Sequence, residues 1–257
     1  MTNTTTHIDI IIPVFNEAEN ISPVLDSLKK TVKTPFRVQI CYDLDNDTTV
    51  PVVKSYSTDG VFELVLTKNK GRGPHRAITT GFDNATSEAV IVFPADDTIN
   101  AVIIDKMYQS YKNGCEIVAA SRFMKGGSMK GCPWLKSMLV RTASFTLHWF
   151  AFIPIKDASN GFRLFSKRLL DIIEIESTLG FTYSIELLVK CHRMGWKIGE
   201  VPAIWLEREK GKSNFKVFKW LPYYLHWYSY GFKTTYFKPF VGKPSVKTQG
   251  ILKEAEV

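Results

Sequence analysis

Short apolar runs alternate with helix-spaced segments through the first two thirds of the chain, and this alternation leaves few folds open. The first run, Ile8–Phe15 (IDIIIPVF), is continuous in β-branched residues and predicts a buried strand. Apolar residues then recur at helical spacing at Ile21, Leu25, Leu28 and Val32. Because strands alternate with helices, we expect a mostly parallel sheet with helices on both faces, in an α/β fold.

The same alternation continues along the chain. It predicts further strands at 36–42, 61–66, 89–93 and 116–120, and helices near 50–57, 74–85 and 102–112. Beyond Gly126 the pattern loosens, and only two helices are predicted, over 135–150 and 184–194. Ligands of parallel sheets gather at the carboxyl ends of the strands. The polar or glycine-rich segments 13–17, 43–49, 68–73 and 94–98 follow predicted strands, so we expect the site there.

Three carboxylates at alternate positions follow the second predicted strand, in the sequence Asp43-Leu-Asp45-Asn-Asp47. A calcium loop of the EF-hand type needs glycine at its sixth position and glutamate at its twelfth. This chain has Thr48 and Lys54 there, which excludes that kind of site. Two interpretations stay open: a solvated acidic turn, or an aspartate placed to hydrogen-bond a base or ribose.

A second acidic pair, Asp96-Asp97, follows the strand that ends at Phe93. Adjacent carboxylates in a loop at a sheet edge favour a hard divalent cation, which can in turn hold a diphosphate. The alternative is a helix N-cap. We therefore predict a Mn²⁺ or Mg²⁺ site formed by Asp96 and Asp97.

Glycines and arginines near these loops offer further candidates. Gly71 and Gly73 do not form a dinucleotide fingerprint, because its third glycine would be Arg76, so a tight turn or close backbone approach is predicted. Guanidinium groups match phosphate oxygens, and each candidate could equally form an ion pair. The candidate arginines are Arg122, Arg141, Arg163 and Arg208.

Five ordered stretches resemble glycosyltransferase family two, of the GT-A fold, and especially its dolichyl- and polyprenyl-phosphate mannose or glucose synthases. The resemblance runs from about Ile8 to about Phe215. The matching stretches are IIPVFNEAENI (11–21), CYDLDNDTT (41–49), SRF with GG (121–127), DASNGFR (157–163) and EVP through REKGKS (200–213).

The resemblance implies an inverting enzyme that transfers a hexose from a nucleotide sugar, of the GDP-mannose or UDP-glucose type, to a polyprenyl phosphate with the help of Mn²⁺ or Mg²⁺. It carries the base contact onto Asp43 and the contact with the donor phosphates onto Arg208. The other residues assigned to the donor site are Pro13, Phe15, Glu17, Gly71, Gly73, Asp96, Arg122, Arg141 and Ser213.

Two departures from the family pattern concern the same site. The family's Asp-X-Asp is Pro94-Ala-Asp96 here, followed by Asp97, so the metal prediction rests on Asp96 with help from Asp97. His75 stands where close relatives often have glycine. If the damaged pattern abolished catalysis, the chain would be a non-catalytic nucleotide-sugar-binding module.

The acceptor decides whether a base is needed. A lipid phosphate is already an anionic nucleophile, whereas a hydroxyl of a glycan or a lipid-linked saccharide must lose a proton to a carboxylate. Asp157 and Glu186 are the residues predicted for that role, with Asp96 and Arg208 completing the catalytic set. Both acceptors stay open.

The C-terminal stretch 215–240 carries twelve aromatic residues among its 26, with lysines interspersed. Its apolar part is too short to span a bilayer, and tryptophan and tyrosine favour the headgroup region. We predict an interfacial element on the membrane, broken at Pro222 and Gly231, between a GT-A catalytic domain at 1–214 and a tail at 241–257. The alternatives are a helix that packs its aromatics on the catalytic domain, and single-stranded RNA binding by stacking.

The charge distribution bears on partners. The net charge is +8, but the segment from Lys210 to Lys253 holds nine lysines and no carboxylate, which leaves 24 basic and 25 acidic residues elsewhere. We therefore expect a membrane surface and no nucleic acid as the partner. Four scattered cysteines and the absence of a signal peptide favour a cytoplasmic protein, peripheral at the inner face of the membrane. Assembly into homo-oligomers stays open.

Overall fold

The structure, a computed structural model, describes residues 6–206, 217–237 and 241–247. Arg208 and Ser213, both predicted at the donor site, lie outside the described residues. The strands are β1 (Ile8–Pro13), β2 (Phe36–Tyr42), β3 (Glu63–Lys68), β4 (Ala89–Val92), β5 (Ile117–Ser121), β6 (Ser128–Lys130), β7 (Arg163–Ser166), β8 (Ile198–Pro202) and β9 (Ile204–Leu206). The helices are α1 (Ala18–Thr31), α2 (Thr49–Ser55), α3 (Pro74–Asp83), α4 (Ile104–Lys112), α5 (Trp134–Trp149), α6 (Lys167–Ile172), α7 (Thr182–Arg193) and α8 (Val217–Tyr236).

Seven strands form the central sheet in the order β3-β2-β1-β4-β7-β5-β8. All neighbours pair in parallel except β7, which runs antiparallel to both β4 and β5. Strands β6 and β9 form a separate parallel pair. The prediction of a mixed, mostly parallel α/β sheet is confirmed.

Both faces of the sheet are covered by apolar side chains, as the continuous apolar strands require. In β1, Ile10 and Ile12 face one core together with Leu25 of α1, whereas Ile11 faces the other core with Ile78 of α3. Helix α3 approaches closely because its Gly81 has no side chain: a Cβ there would lie 2.7 Å from Ile11. Helices therefore flank the sheet on both sides.

Two predicted elements have different bounds in the structure, and two strands of the central sheet were not predicted. The strand predicted at 61–66 is β3 (Glu63–Lys68), and the helix predicted from 102 is a 3-10 turn at Asn100–Ile103 followed by α4. The pattern past Gly126 gave no strand, yet β7 and β8 belong to the central sheet there. Strand β7 has only four residues, too few for a period to be recognised.

Helix α8 is continuous, so the prediction of breaks at Pro222 and Gly231 is wrong. A Cβ at Gly231 would lie 3.2 Å from Leu147 of α5 and 3.3 Å from Val189 of α7, so this glycine allows α8 to pack closely on both helices. Pro222 lies in the second turn, where the loss of one backbone hydrogen bond is offset by packing against α7.

Much of the aromatic face of α8 packs on the catalytic core. Trp227 is buried, and Tyr228 Oη lies 2.8 Å from Thr146 Oγ1 of α5. Thr235 Oγ1 donates to the Ala151 carbonyl at 3.0 Å, and Tyr236 Oη donates to the Phe150 carbonyl at 2.6 Å. The alternative of a helix that packs on the domain therefore describes these residues of α8. Within the described ranges, none of the helices combines the length and the hydropathy that crossing a bilayer requires.

The described part of the tail, 241–247, also contacts the core. Val246 forms an antiparallel bridge with Ile173, directly after α6. The Glu174 backbone N–H donates to the Ser245 carbonyl at 3.0 Å, and the Lys247 N–H donates to the Ile172 carbonyl at 2.8 Å. The tail thereby fixes the start of the connection between α6 and α7.

We predict that Trp227→Ala lowers the free energy of unfolding by about 3–5 kcal/mol, because it leaves a cavity between α8 and α7. Urea denaturation followed by circular dichroism measures this change. Tyr223→Ala, at a half-exposed position of the same helix, is the control and should change it by about 0.5 kcal/mol or less. Equal stability of both variants would contradict the packing of α8.

Candidate active site

The loops predicted to meet at one sheet edge do meet there. Parallel pairing places Pro13 beside Cys41, Tyr42 beside Lys68, and Ile11 beside Val92, so β1 to β4 end together. Strand β7 begins at this edge because it is antiparallel, and β5 and β8 end there. The donor residues brought to this edge are Pro13, Phe15, Glu17, Asp43, Gly71, Gly73, Asp96 and Arg122.

Asp43 joins the loop after β2 to the loop after β3. Its Oδ1 accepts from Asn69 Nδ2 at 2.6 Å, and its Oδ2 accepts from the Gly73 backbone N–H at 2.8 Å. Gly73 has φ +90°, a conformation that favours glycine, and it directly precedes Pro74 at the start of α3. Gly71 is exposed in the same loop, which folds over Arg76. An ionised carboxylate has about four acceptor positions, so Asp43 retains capacity for a ligand.

Asp47 holds the loop after β1, a role that the sequence interpretation missed. Its Oδ2 accepts from the Asn16 backbone N–H at 3.1 Å and its Oδ1 from the Thr49 N–H at 2.8 Å. The Glu17 N–H donates to Thr49 Oγ1 at 2.9 Å. This arrangement leaves Phe15 52% exposed at the sheet edge, where its ring is available to a ligand. The Asp-X-Thr spacing, typical of an Asx turn, was the available signal.

The carboxylate of Asp97 is engaged by the turn that directly follows it. Its Oδ1 accepts from the Ile99 and Asn100 backbone N–H groups at 3.0 and 2.9 Å, and its Oδ2 accepts from Asn100 Nδ2 at 2.7 Å. Burial raises the pKa of Asp97. Asp97 therefore stabilises the turn that leads into the 3-10 segment, whose N-cap residue is Ile99, and the geometry does not favour its predicted part in metal binding. The half-buried Asp96 is the remaining carboxylate of the pair.

The side chain of Asn100 also fixes the start of β9. Its Nδ2 donates to the Ile204 carbonyl at 2.7 Å, and the Ile204 N–H donates to its Oδ1 at 2.9 Å. Strand β9 is thereby fixed beside the Asp96 loop. Over the part of the chain that the structure describes, no group of three or more histidine, cysteine, aspartate or glutamate side chains is arranged to hold a metal.

Arg122 and Asp157 form a buried, bidentate ion pair. Arg122 Nε lies 2.7 Å from Asp157 Oδ2 and its Nη2 lies 2.9 Å from Oδ1. Burial by itself would raise the pKa of Asp157, but hydrogen bonds and charge from Arg122 hold that pKa below its ordinary value. The geometry therefore does not favour Arg122 as a phosphate clamp or Asp157 as a proton acceptor. The pair positions the loop 157–161 instead.

Glu186 is likewise held in a buried network. Its Oε1 accepts from the Glu176 backbone N–H and from Lys190 Nζ, both at 2.7 Å, and its Oε2 accepts from the Ser177 N–H at 2.9 Å. Lys190 Nζ also lies 5.0 Å from the centre of the Trp227 ring. This arrangement positions the loop before α7 and does not favour the predicted role of Glu186 as a base.

His75 connects that loop to the start of α3. Its Nε2 lies 3.0 Å from Ser177 Oγ, and the side chain is buried. Burial, together with the charge of Arg76, lowers the pKa of His75 to about 4. His75 is therefore neutral at physiological pH. In the sequence, His75 was notable only because it stands where relatives often have glycine. That observation did not indicate the contact with Ser177.

The remaining arginines differ in access. Arg163 is completely buried; its Nη2 donates to the Ala158 carbonyl at 2.6 Å and its Nη1 donates to the Ser184 carbonyl. Burial lowers its pKa to about 10. It is not accessible as a phosphate clamp. Arg141 is exposed on α5, with its guanidinium carbon 4.9 Å from the centre of the Phe123 ring.

Comparison with protein families gives one match over most of the sheet. The family described as "Glycosyl transferase family 2" matches residues 9–173. The dolichol-phosphate mannosyltransferase of Pyrococcus furiosus is 26% identical over 212 residues, which cover 81% of this chain and 59% of that protein. The polyprenol monophosphomannose synthase of Mycolicibacterium smegmatis is 24% identical over 229 residues, covering 82% and 85%.

Solved structures share the fold. The glucosyl-3-phosphoglycerate synthase of Mycobacterium tuberculosis in complex with UDP superposes with a TM-score of 0.66 at 14% identity, covering 88% of this chain and 81% of that one. Its complex with Mn²⁺, UDP and glucosyl-3-phosphoglycerate gives a TM-score of 0.61 at 14% identity, covering 80% and 74%. At this identity the likeness shows the fold, which is GT-A.

We predict that the neutral His75 makes the protein less stable in acid. Its pKa of about 4 in the folded state lies below the ordinary value of 6.5, so the unfolded state binds more protons as the pH falls below 6.5. Stability should fall by about 2 kcal/mol between pH 7 and pH 5 from this group alone. Urea denaturation at both values measures the loss, which His75→Gln should remove. The exposed His226→Gln is the control and should keep the wild-type profile; an unchanged profile for His75→Gln would contradict the assignment.

Proposed function

This chain is a member of glycosyl transferase family 2, and we propose that it transfers a hexose from a nucleotide sugar to a polyprenyl phosphate with inversion at the anomeric carbon. The observation that carries the proposal is the convergence of Asp43, the Phe15 loop and Asp96 at one sheet edge. The names of the archaeal and mycobacterial relatives, a dolichol-phosphate mannosyltransferase and a polyprenol monophosphomannose synthase, support this acceptor class.

The donor would lie across the carboxyl ends of β1, β2 and β4. Asp43 would accept a hydrogen bond from the base or ribose, and the loop of Gly71 and Gly73 would let the backbone approach the nucleotide. The exposed Phe15 offers an apolar surface beside it. Pro13 and Glu17 complete this side of the donor site; Arg141 and Arg208 remain assigned to its phosphates, and Ser213 to the donor site.

Asp96 would hold a Mn²⁺ or Mg²⁺ ion together with the donor diphosphate. Magnesium is commonly bound by one or two carboxylates plus substrate phosphates, so a single aspartate at this edge fits such an ion although Pro94 replaces the first acidic residue. The structures of the related synthase include complexes of UDP with Mn²⁺ and with Mg²⁺. Bound there, the ion would neutralise charge that develops on the departing nucleoside diphosphate.

The buried ion pairs of the two candidate bases, Asp157 and Glu186, favour a phosphate acceptor over a hydroxyl. Asp157 and Glu186 are both buried in ion pairs, so neither is placed to take a proton from a hydroxyl. A phosphate monoester is ionised at neutral pH and can attack the anomeric carbon without a base. The carbon–oxygen bond to the diphosphate breaks as the new bond forms on the opposite face. Arginine forks, with Arg208 as the assigned residue, would stabilise the leaving group.

We further propose that the enzyme works at the cytoplasmic face of a membrane, as a peripheral protein. A polyprenyl acceptor resides in the bilayer, and the basic, aromatic stretch 215–240 is suited to its surface. Helix α8 packs on the core through Trp227, but Tyr223, Leu225, Tyr236 and Phe237 stay exposed at or beside it. Those side chains are available to lipid.

We predict that Asp96→Asn abolishes metal-stimulated transfer, by about hundredfold or more, because the cation loses its anionic protein ligand. The assay measures hexose transfer from GDP-mannose or UDP-glucose to a short-chain polyprenyl phosphate, with Mn²⁺, Mg²⁺ or chelator. Asp97→Asn is the matched control; it should melt earlier, since it weakens a cap, yet keep its metal dependence. Metal-stimulated turnover of the Asp96 variant would refute the metal assignment, and no transfer to any polyprenyl phosphate by the wild type would refute the acceptor.

We predict that Asp43→Asn weakens binding of the free nucleoside diphosphate by about tenfold to hundredfold, with or without metal, because a charge-assisted hydrogen bond is lost. Isothermal titration calorimetry measures the affinity. Asp45→Asn serves as the control, since Asp45 is exposed and paired with Lys68, and it should bind as the wild type does. Wild-type affinity in the Asp43 variant would overturn the base or ribose contact.

A further inference from the structure

The side-chain amide of Asn100 pairs with the backbone of Ile204 as a neighbouring strand would. Its Nδ2 donates to the Ile204 carbonyl at 2.7 Å, and its Oδ1 accepts from the Ile204 N–H at 2.9 Å. The side chain is buried. An amide offers a donor and an acceptor side by side, whereas a carboxylate of the same shape offers acceptors alone. This two-way pairing therefore depends on an amide at position 100.

Strand β9 relies on that pairing. It has three residues and pairs in parallel with β6, where Ser128 lies beside Ile204. The Ser128 N–H donates to the carbonyl of Ala203, the residue before Ile204, at 3.0 Å. Backbone groups of successive residues in a strand point to opposite sides, so those of Ile204 face away from β6. A two-stranded sheet this short is marginal alone, and Asn100 completes its other edge.

The same side chain also holds the acidic loop. Asn100 Nδ2 donates to Asp97 Oδ2 at 2.7 Å, and the Asn100 backbone N–H donates to Asp97 Oδ1 at 2.9 Å. The Asp97 N–H in turn donates to the Pro94 carbonyl at 3.4 Å, which closes the turn that contains Asp96. The turn with the assigned metal ligand is thus fastened to β9 through one buried amide.

The two partners of Asn100 belong to two parts of the proposed donor site. Asp96 is the assigned metal ligand, and β9 is followed in the sequence, after one residue, by Arg208, which is assigned to the donor phosphates and lies outside the described residues. The base side of the site has its own support, since Asp43 is bonded to Asn69 and to the Gly73 N–H. Loss of the Asn100 amide would therefore disturb the diphosphate side and leave the base side intact.

We propose that Asn100 is a positioning residue for the donor diphosphate, which holds the Asp96 loop against β9 and thereby sets the affinity for the metal-bound nucleoside diphosphate. The inference rests on the proposed function and names a residue that the family resemblance did not assign. Residues behind a metal ligand commonly change metal affinity by about tenfold to hundredfold when they are replaced. A residue that only filled space would tolerate a carboxylate of the same shape.

The test is isothermal titration calorimetry of the full chain with GDP and with UDP, each in Mn²⁺ and in chelator. The wild type should bind more tightly in Mn²⁺. Asn100→Ala should reduce this gain by about tenfold and keep the affinity measured in chelator. Asn100→Asp should lose at least as much, because it has no donor for the Ile204 carbonyl and adds a carboxylate beside Asp97.

Two control variants test the route of the effect. Ser27 Oγ donates to the Thr98 carbonyl of the same loop at 2.9 Å in an exposed position, so Ser27→Ala removes a hydrogen bond that does not involve β9. It should keep the full gain from Mn²⁺. Asp97→Asn leaves both bonds between Asn100 and Ile204 in place and should keep most of the gain. Thermal melting of each variant verifies that the titrated protein is folded.

The outcomes separate this inference from the proposed function. A wild-type gain from Mn²⁺ in Asn100→Ala and Asn100→Asp would overturn the positioning role alone. An equal loss in Mn²⁺ and in chelator would also overturn it, since that pattern indicates a general loss of structure. A wild type that gains nothing from Mn²⁺ with either nucleotide would overturn the metal assignment of Asp96 and this inference with it. If Asn100→Ala does not fold, Asn100→Asp, which preserves the volume, decides in the same titration.

Discussion

Parallel hydrogen bonding among β1, β2, β3 and β4 is the constraint on which the rest of the structure depends. Because parallel strands must be buried on both faces, the chain supplies continuous β-branched runs and covers them with helices. The same pairing forces all four strands to end together, so that loops distant in sequence become neighbours. The antiparallel β7 extends this edge by beginning where the others end.

Most carboxylates near this edge hold the protein together. Asp43 and Asp47 tie loops to one another, Asp97 caps a turn, and Asp157 and Glu186 are neutralised by a buried arginine and lysine. Asp157 and Glu186 are each paired with a buried cation, so these two carboxylates add little net negative charge that would repel an anionic diphosphate or acceptor. The sequence alone does not show which acidic residues are neutralised in this way.

The sequence predicted the fold class and the four loops because both depend on local periods and on one rule about parallel sheets. It could not predict which carboxylates were occupied, since Arg122 and Asp157 are 35 residues apart and meet only in the folded chain. The continuity of α8 was missed for a similar reason. Gly231 and Pro222 are local breakers, but contacts with Leu147 and Val189 override them. Arg208 and Ser213 lie outside the described residues, and their roles stay sequence predictions.

The contacts that run from His75 through Ser177, Glu186 and Lys190 to Trp227 have a thermodynamic consequence. They give α8 and the first turn of α3, which directly follows the loop of Gly71 and Gly73, a shared set of partners. Linkage is reciprocal, so a ligand that tightens the loop through this series strengthens the docking of α8 by the same free energy. A surface that holds α8 in place would, by the same equality, raise the affinity of the loop for its ligand.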